Sequence, residues 1–167
     1  MRKLLKFCHH ISSCGMAAGL IGYGFLLVKA PQGTPAELAQ LRAMIAQLSN
    51  WVLVPSLGLA LVSGLLAIVV HRPFQELRWV WVKALIGMTL FESTLAVIQS
   101  KANDGAVIAA QLVEGKGSRE DLQLILASEW TALYAISALV VASIAIGTWR
   151  PSFRLATTKS PAQVTAP

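Results

Sequence analysis

Apolar residues gather into four long runs, Leu4 to Val28, Trp51 to Val70, Trp79 to Ile98 and Leu122 to Trp149, separated by polar connections. About 20 such residues in a helix rise roughly 30 Å, the thickness of a bilayer's hydrocarbon core, so each run predicts a transmembrane helix. The expected architecture is all-α: an integral membrane four-helix bundle within residues 1–150, with spans at about 4–28, 51–70, 79–98 and 122–149. Arg2, Lys3 and Lys6 precede the first run as they would a signal peptide. That run exceeds the ~7–15 residues of a signal core and has no small-x-small site leading into a soluble domain, so it is expected to be retained.

The connections carry their own signals. Thr34-Pro35-Ala36-Glu37 is a capping box with proline at the first helical position, and Leu38, Leu41, Met44, Ile45 and Leu48 follow on one stripe. They predict a short amphipathic helix in the first outer connection, lying on the outer face or running into the second span, where Pro55 would bend it. Gly115-Lys116-Gly117 breaks the third connection, Lys101 to Asp121, before Ser118, a cap for the last span. His71 to Arg78, holding Pro73, reads as a tight hairpin that makes spans two and three antiparallel neighbours. Residues 151–167 read as a disordered cytoplasmic tail.

Composition agrees with the pattern. The 167 residues are 55% hydrophobic and 13% charged, with a mean hydropathy of +0.61. Soluble domains carry about 25% charged residues, so the expected partner is the lipid bilayer and the expected location a cell membrane, multi-pass, of the bacterial inner-membrane type. One side holds eight basic residues (Arg2, Lys3, Lys6, Arg72, Arg78, Arg150, Arg154, Lys159) against five on the other (Lys29, Arg42, Lys101, Lys116, Arg119), which places both termini in the cytoplasm. The net charge of +6 is met by anionic headgroups, and no basic stripe with interleaved aromatics suggests nucleic acid. Trp51, Trp79, Trp81 and Trp149 fall near span ends, where indoles favour the interface. Cys8 and Cys14 are about 9 Å apart along one helix, too far for a disulfide. Gly15 and Gly19 form a GxxxG, read as packing within the bundle, with a homodimer seam as the alternative.

Charged and titratable residues within the spans are the candidate chemistry. Lys83 would lie about 7 Å inside the third span, and His10, with His9 beside it, about 6 Å inside the first from the same side, so the two could meet. Glu92 and Glu129 form a second polar level in the outer half. For each of these an ordinary role stands beside the functional one: headgroup contact for the histidines, snorkelling for Lys83, hydrogen bonding between helices for the glutamates. His71 reads as interfacial. The three histidines do not have zinc-site spacing. No phosphate loop or dinucleotide fingerprint is present, which excludes a nucleotide enzyme of those kinds.

The early histidine in HHISSCGMAAGLIGYG, the tight turn, and Trp79 with Lys83 in RWVWVKALIG resemble the CopD-like group of small helical membrane proteins. That group includes the HemJ-type protoporphyrinogen oxidases and a branch of uncharacterised predicted integral membrane proteins. The resemblance implies haem b or porphyrin held through His10 with Lys83, and His10 as the metal ligand if iron binds. The segment SSCGMAAG departs from the oxidases' Trp-Phe-containing stretch, and their later histidine-rich stretches are missing, which favours the predicted-membrane-protein branch. Two readings remain: a haem, porphyrin or metal-binding membrane protein, and a noncatalytic accessory subunit or small transporter-like module whose polar groups serve packing only. Either is compatible with a homo-oligomer or a membrane-complex partner, and neither decides whether the chain is an enzyme.

Overall fold

The computed structural model describes residues 2–29, 33–70 and 77–149. Four helices account for nearly all of them: α1 (Arg2–Lys29), α2 (Pro35–Val70), α3 (Arg78–Val113) and α4 (Arg119–Trp149). All four are long and apolar enough to cross a membrane. The expected hairpin turn with His71 and Pro73, and the tail, lie outside the described residues.

Local chemistry sets most helix ends. The Thr34 hydroxyl accepts from the Glu37 amide, and the Glu37 carboxylate accepts from the Thr34 amide, closing the capping box at the start of α2. At the start of α4 the Ser118 hydroxyl accepts from the Glu120 amide at 3.1 Å. Gly115, with φ at +75°, ends the segment after α3 in a conformation that a side chain would strain.

Two helices outrun their apolar runs. The amphipathic segment that begins α2 continues directly into the second span, and α3 carries on through Lys101 to Val113, where the sequence suggested a connection. Nothing before Gly115 breaks α3, and the buried faces of the two extensions, Ile45 and Ala46 on α2 and Ala102 and Ala109 on α3, pack the helices together. At 36 residues each, they are about 54 Å long, well beyond a hydrocarbon core. Each contains a π-helical stretch, Ser49–Leu53 in α2 and Thr94–Gln99 in α3. In α2 it directly precedes Pro55, whose ring would crowd the carbonyl one turn back; the Val54 amide reaches five residues back to the Ser49 carbonyl instead. The two stretches meet at a polar junction in which Gln99 donates to Asn50 at 2.8 Å and Asn50 donates to Asn103 at 2.9 Å.

Successive helices pack antiparallel and α4 returns against α1. Glycine controls the closest approach: a Cβ on Gly15 would lie 2.7 Å from Ser56 Oγ, and one on Gly19 would lie 3.0 Å from Leu53 Cδ1. The GxxxG stripe therefore faces α2 of the same chain. Leu20, Leu53, Leu57, Leu90, Ile136 and Val140 build the core between the helices. Ile21, Phe25, Val69, Leu85 and Val141 point outward and are more than half exposed, which in water would be an aggregation hazard and in a bilayer is a lipid-facing surface.

Aromatic residues mark the two edges of that surface. Trp79, Trp81 and Trp149 stand near the end that carries residues 2, 70, 78 and 149, hereafter the terminal end. Towards the far end, Trp51 is 79% exposed next to Asn50, which is bonded to Gln99. From Trp81 to Gln99 along α3 the rise is about 27 Å, close to a hydrocarbon thickness.

Beyond the Trp51 level all four helices are tied at one point. Arg42 of α2 donates through Nη1 to Glu129 Oε2 of α4 at 2.6 Å, and Tyr23 of α1 donates to Glu129 Oε1 at 2.9 Å. Gly105 of α3 makes room, since a Cβ there would stand 3.1 Å from Arg42 Nη1. Arg42 and Glu129 are 1% and 0% exposed, so removing one partner strands the other charge without solvent. Glu129→Leu is accordingly expected to destabilise the folded protein by about 3–5 kcal/mol, and the double variant Arg42→Met/Glu129→Leu to recover most of that loss. Unfolding titrations in detergent check this; equal losses in the single and double variants would show that the pair is not coupled.

Candidate functional site

Between the core and the terminal end the helices part around a cavity of about 410 Å³. Small residues open it: Ala60 and Gly64 on α2, Ala84 and Gly87 on α3, and Gly147 on α4. Leucine, isoleucine and methionine side chains supply most of the wall, among them Met16, Leu57, Leu61 and Ile68. The polar lining is cationic or neutral: Lys6, His9 and His10 from α1, Lys83 from α3, and the hydroxyls of Ser13 and Ser143. Among the described residues no carboxylate lines it.

His9 is the inward-facing histidine. Its Nδ1 lies 2.9 Å from the Ala60 carbonyl, and its ring lies against Gly64, where a Cβ would approach Cε1 to 3.4 Å. A carbonyl can only accept, so Nδ1 carries the hydrogen of the neutral ring and Nε2 is left with the lone pair. The Ser63 hydroxyl donates to the same Ala60 carbonyl at 3.1 Å and lies 3.3 Å from Nδ1, which holds the ring in a small polar clasp. His10 is exposed at the rim, its ring centroid 6.4 Å from that of His9. One residue along a helix rotates the side chain by about 100°, so two adjacent histidines cannot share one face.

Lys83 is half-buried and reaches across to α4. Its Nζ occupies the space a side chain on Gly147 would need, 2.6 Å from an added Cβ. Among the described residues its ammonium has no hydrogen bond and no ion pair. Thus Lys83, His9 and His10 border one cavity, His10 from its exposed rim.

The two glutamates separate. Glu129 is enclosed by Arg42 and Tyr23, and Glu92 is exposed on the outer face of α3. Sequence reasoning grouped Arg42 with the outer loop charges and passed over Tyr23. A signal existed for Arg42: Leu38, Arg42 and Ile45 fall at i, i+4 and i+7, which puts the guanidinium on the buried stripe. Among the described residues no group of three or more His, Cys, Asp or Glu side chains could hold a metal ion.

Lipid-facing helices around a polar-lined cavity define a multi-pass integral membrane protein with four candidate spans. The chain belongs to the family described as predicted integral membrane protein (DUF2269), whose model matches residues 3–151. Neither the curated proteins nor the solved structures compared with the chain gave a match.

The fixed ring of His9 is directly measurable. In ¹⁵N spectra of histidine-labelled protein, one resonance pair is expected to show Nδ1 protonated and Nε2 bare, and to vanish in His9→Asn. The opposite tautomer at His9 would remove the bond to Ala60.

Proposed function

We propose that this chain is an intramembrane binding protein for an amphipathic anion, a molecule with an apolar body and a carboxylate or phosphate head. The observation that carries the reading is a cationic cavity with apolar walls, in which the described residues bring no carboxylate and no partner to the ammonium of Lys83. About 410 Å³ falls within the ~300–1,000 Å³ range of small-molecule sites. An ammonium held inside apolar walls binds an anionic head strongly, because little water competes for it. Lys6, lining the same cavity, adds a second cation for a dianionic head.

A porphyrin carboxylate or haem b is the narrowest version of this ligand class. The residues fit it in two respects: Nε2 of His9 is free to donate its lone pair to iron, and Lys83 and Lys6 suit propionates. Haem would supply redox chemistry there, while the chain would supply one imidazole nitrogen, a low-polarity wall and charge balance. His9, with its Nδ1 committed to Ala60, suits that donor role better than the exposed His10. Among the described residues no donor cluster suits a bare metal ion. The terminal end, richer in basic residues, faces the cytoplasm in this reading, and the site opens near the inner leaflet of a bacterial-type membrane.

Packing alone is the competing account, since the His9 bond to Ala60 also ties α1 to α2. Titration of the purified protein in nanodiscs with protoporphyrin and with haem distinguishes the two. Saturable binding is expected, weakened about ten-fold or more in Lys83→Ala and in Gly147→Val but nearly unchanged in Lys83→Arg. A Soret band that His9→Ala abolishes identifies haem. If neither ligand nor a long-chain fatty acid binds saturably, or if Lys83→Ala and Gly147→Val bind like the parent, the polar groups serve packing.

A further inference from the structure

Glu92 lies on the exposed face of α3, seven residues before Gln99 and therefore about 10 Å inside the Trp51 level. Among the described residues it is the one carboxyl exposed between the two tryptophan levels, and it makes no hydrogen bond or ion pair. Acyl chains offer no donor to a carboxyl group, so a group placed there needs a partner from protein at the same depth.

We propose that this face of α3 binds a second copy of the chain, with Glu92 at the centre of a two-fold seam. The face is self-complementary. Thr89, exposed one turn away, carries a hydroxyl donor offset from Glu92 by about 4.5 Å along the helix. When two α3 helices run side by side about a two-fold axis along the membrane normal, the partner's Thr89 reaches Glu92, and the reverse contact forms by symmetry. Ala96 and Ser100, one and two turns further on and exposed, are small enough for the backbones to come close, as hydrogen bonds between membrane helices require. Leu85 and Met88, 65% and 54% exposed, extend the contact towards the terminal end with apolar packing. The other stripe suited to close helix contact, Gly15 and Gly19, is already occupied by α2. A second copy meets Glu92 at matching depth without further adjustment, which a partner of unrelated sequence does only by coincidence. The seam lies on the outside of α3 and does not depend on the cavity reading.

The test combines cross-linking with dimer affinity in bilayers, using full-length protein in which Cys8 and Cys14 are replaced by serine. Ala96→Cys is expected to form a disulfide-linked dimer on oxidation in native membranes, whereas Val141→Cys, equally lipid-facing on α4, does not. By energy transfer between labelled copies in vesicles, Glu92→Leu should weaken dimerisation about ten-fold, while Glu92→Gln, which keeps a hydrogen-bonding head, stays within about three-fold of the parent. Equal cross-linking at both positions, a parent protein that is monomeric in vesicles, or a cross-link from Ala96→Cys to a different protein would each overturn the proposal. Helix content and thermal unfolding of Glu92→Leu by circular dichroism that match the parent's would show that a loss of dimer is not a loss of fold.

Discussion

Burying a guanidinium and a carboxylate where neither meets solvent is the constraint on which the arrangement of this bundle depends. Arg42 and Glu129 are each costly to desolvate, and their mutual contact offsets that cost only when the geometry is held. Holding it engages every helix: α2 and α4 bring the charges, α1 brings the Tyr23 hydroxyl to the second carboxylate oxygen, and α3 presents the glycine over which the guanidinium passes. Rotating any one helix by a residue would separate the set. The pair lies beyond the Trp51 level, in the part of the molecule where α2 and α3 outgrow the apolar belt. There it can specify the register of the bundle without exposing charge to acyl chains.

That anchoring at one end leaves freedom at the other. From Tyr23 to His9 is 14 residues of α1, about 21 Å, and the packing between them is almost wholly aliphatic. Past Leu57, Leu90 and Val140 alanine and glycine enter the facing positions, and the cavity opens where Lys83 can extend towards Gly147. A half-buried lysine in that position is costly if it serves nothing, since among the described residues no acidic neighbour lines the cavity with it. The same kind of small residue that lets helices approach at Gly15 and Gly19 here gives room to polar side chains, His9 at Gly64 and Lys83 at Gly147.

Parts of this were legible in the sequence because the governing forces are local. Thr34 with Glu37 announced a helix start, Ser118 another, and Trp51 and Trp79 marked the ends of apolar runs, each decided by residues a few positions away. Other parts were hidden. Asp104 and Lys101 made the third connection look like a loop, although the alanines between and after them had an apolar surface of α2 waiting. Arg42 looked like one more outer charge, because nothing in its neighbourhood reveals a glutamate 87 residues later. Lys83 was the position where both levels agreed: an intramembrane charge in the sequence, and an inward-facing one in the fold.

The sequence by itself determined a helical membrane protein, the number of long apolar runs, where two helices begin, and which few ionisable residues stand within those runs. These follow from run length and capping, which are properties of short segments. Tertiary structure alone decided which of two adjacent histidines turns inward, which glutamate is enclosed and which points outward, and where space remains between the helices. Each helical residue turns the side chain by about 100°, so direction is set by what the neighbouring helices can accommodate, as Ala60 and Gly64 accommodate His9.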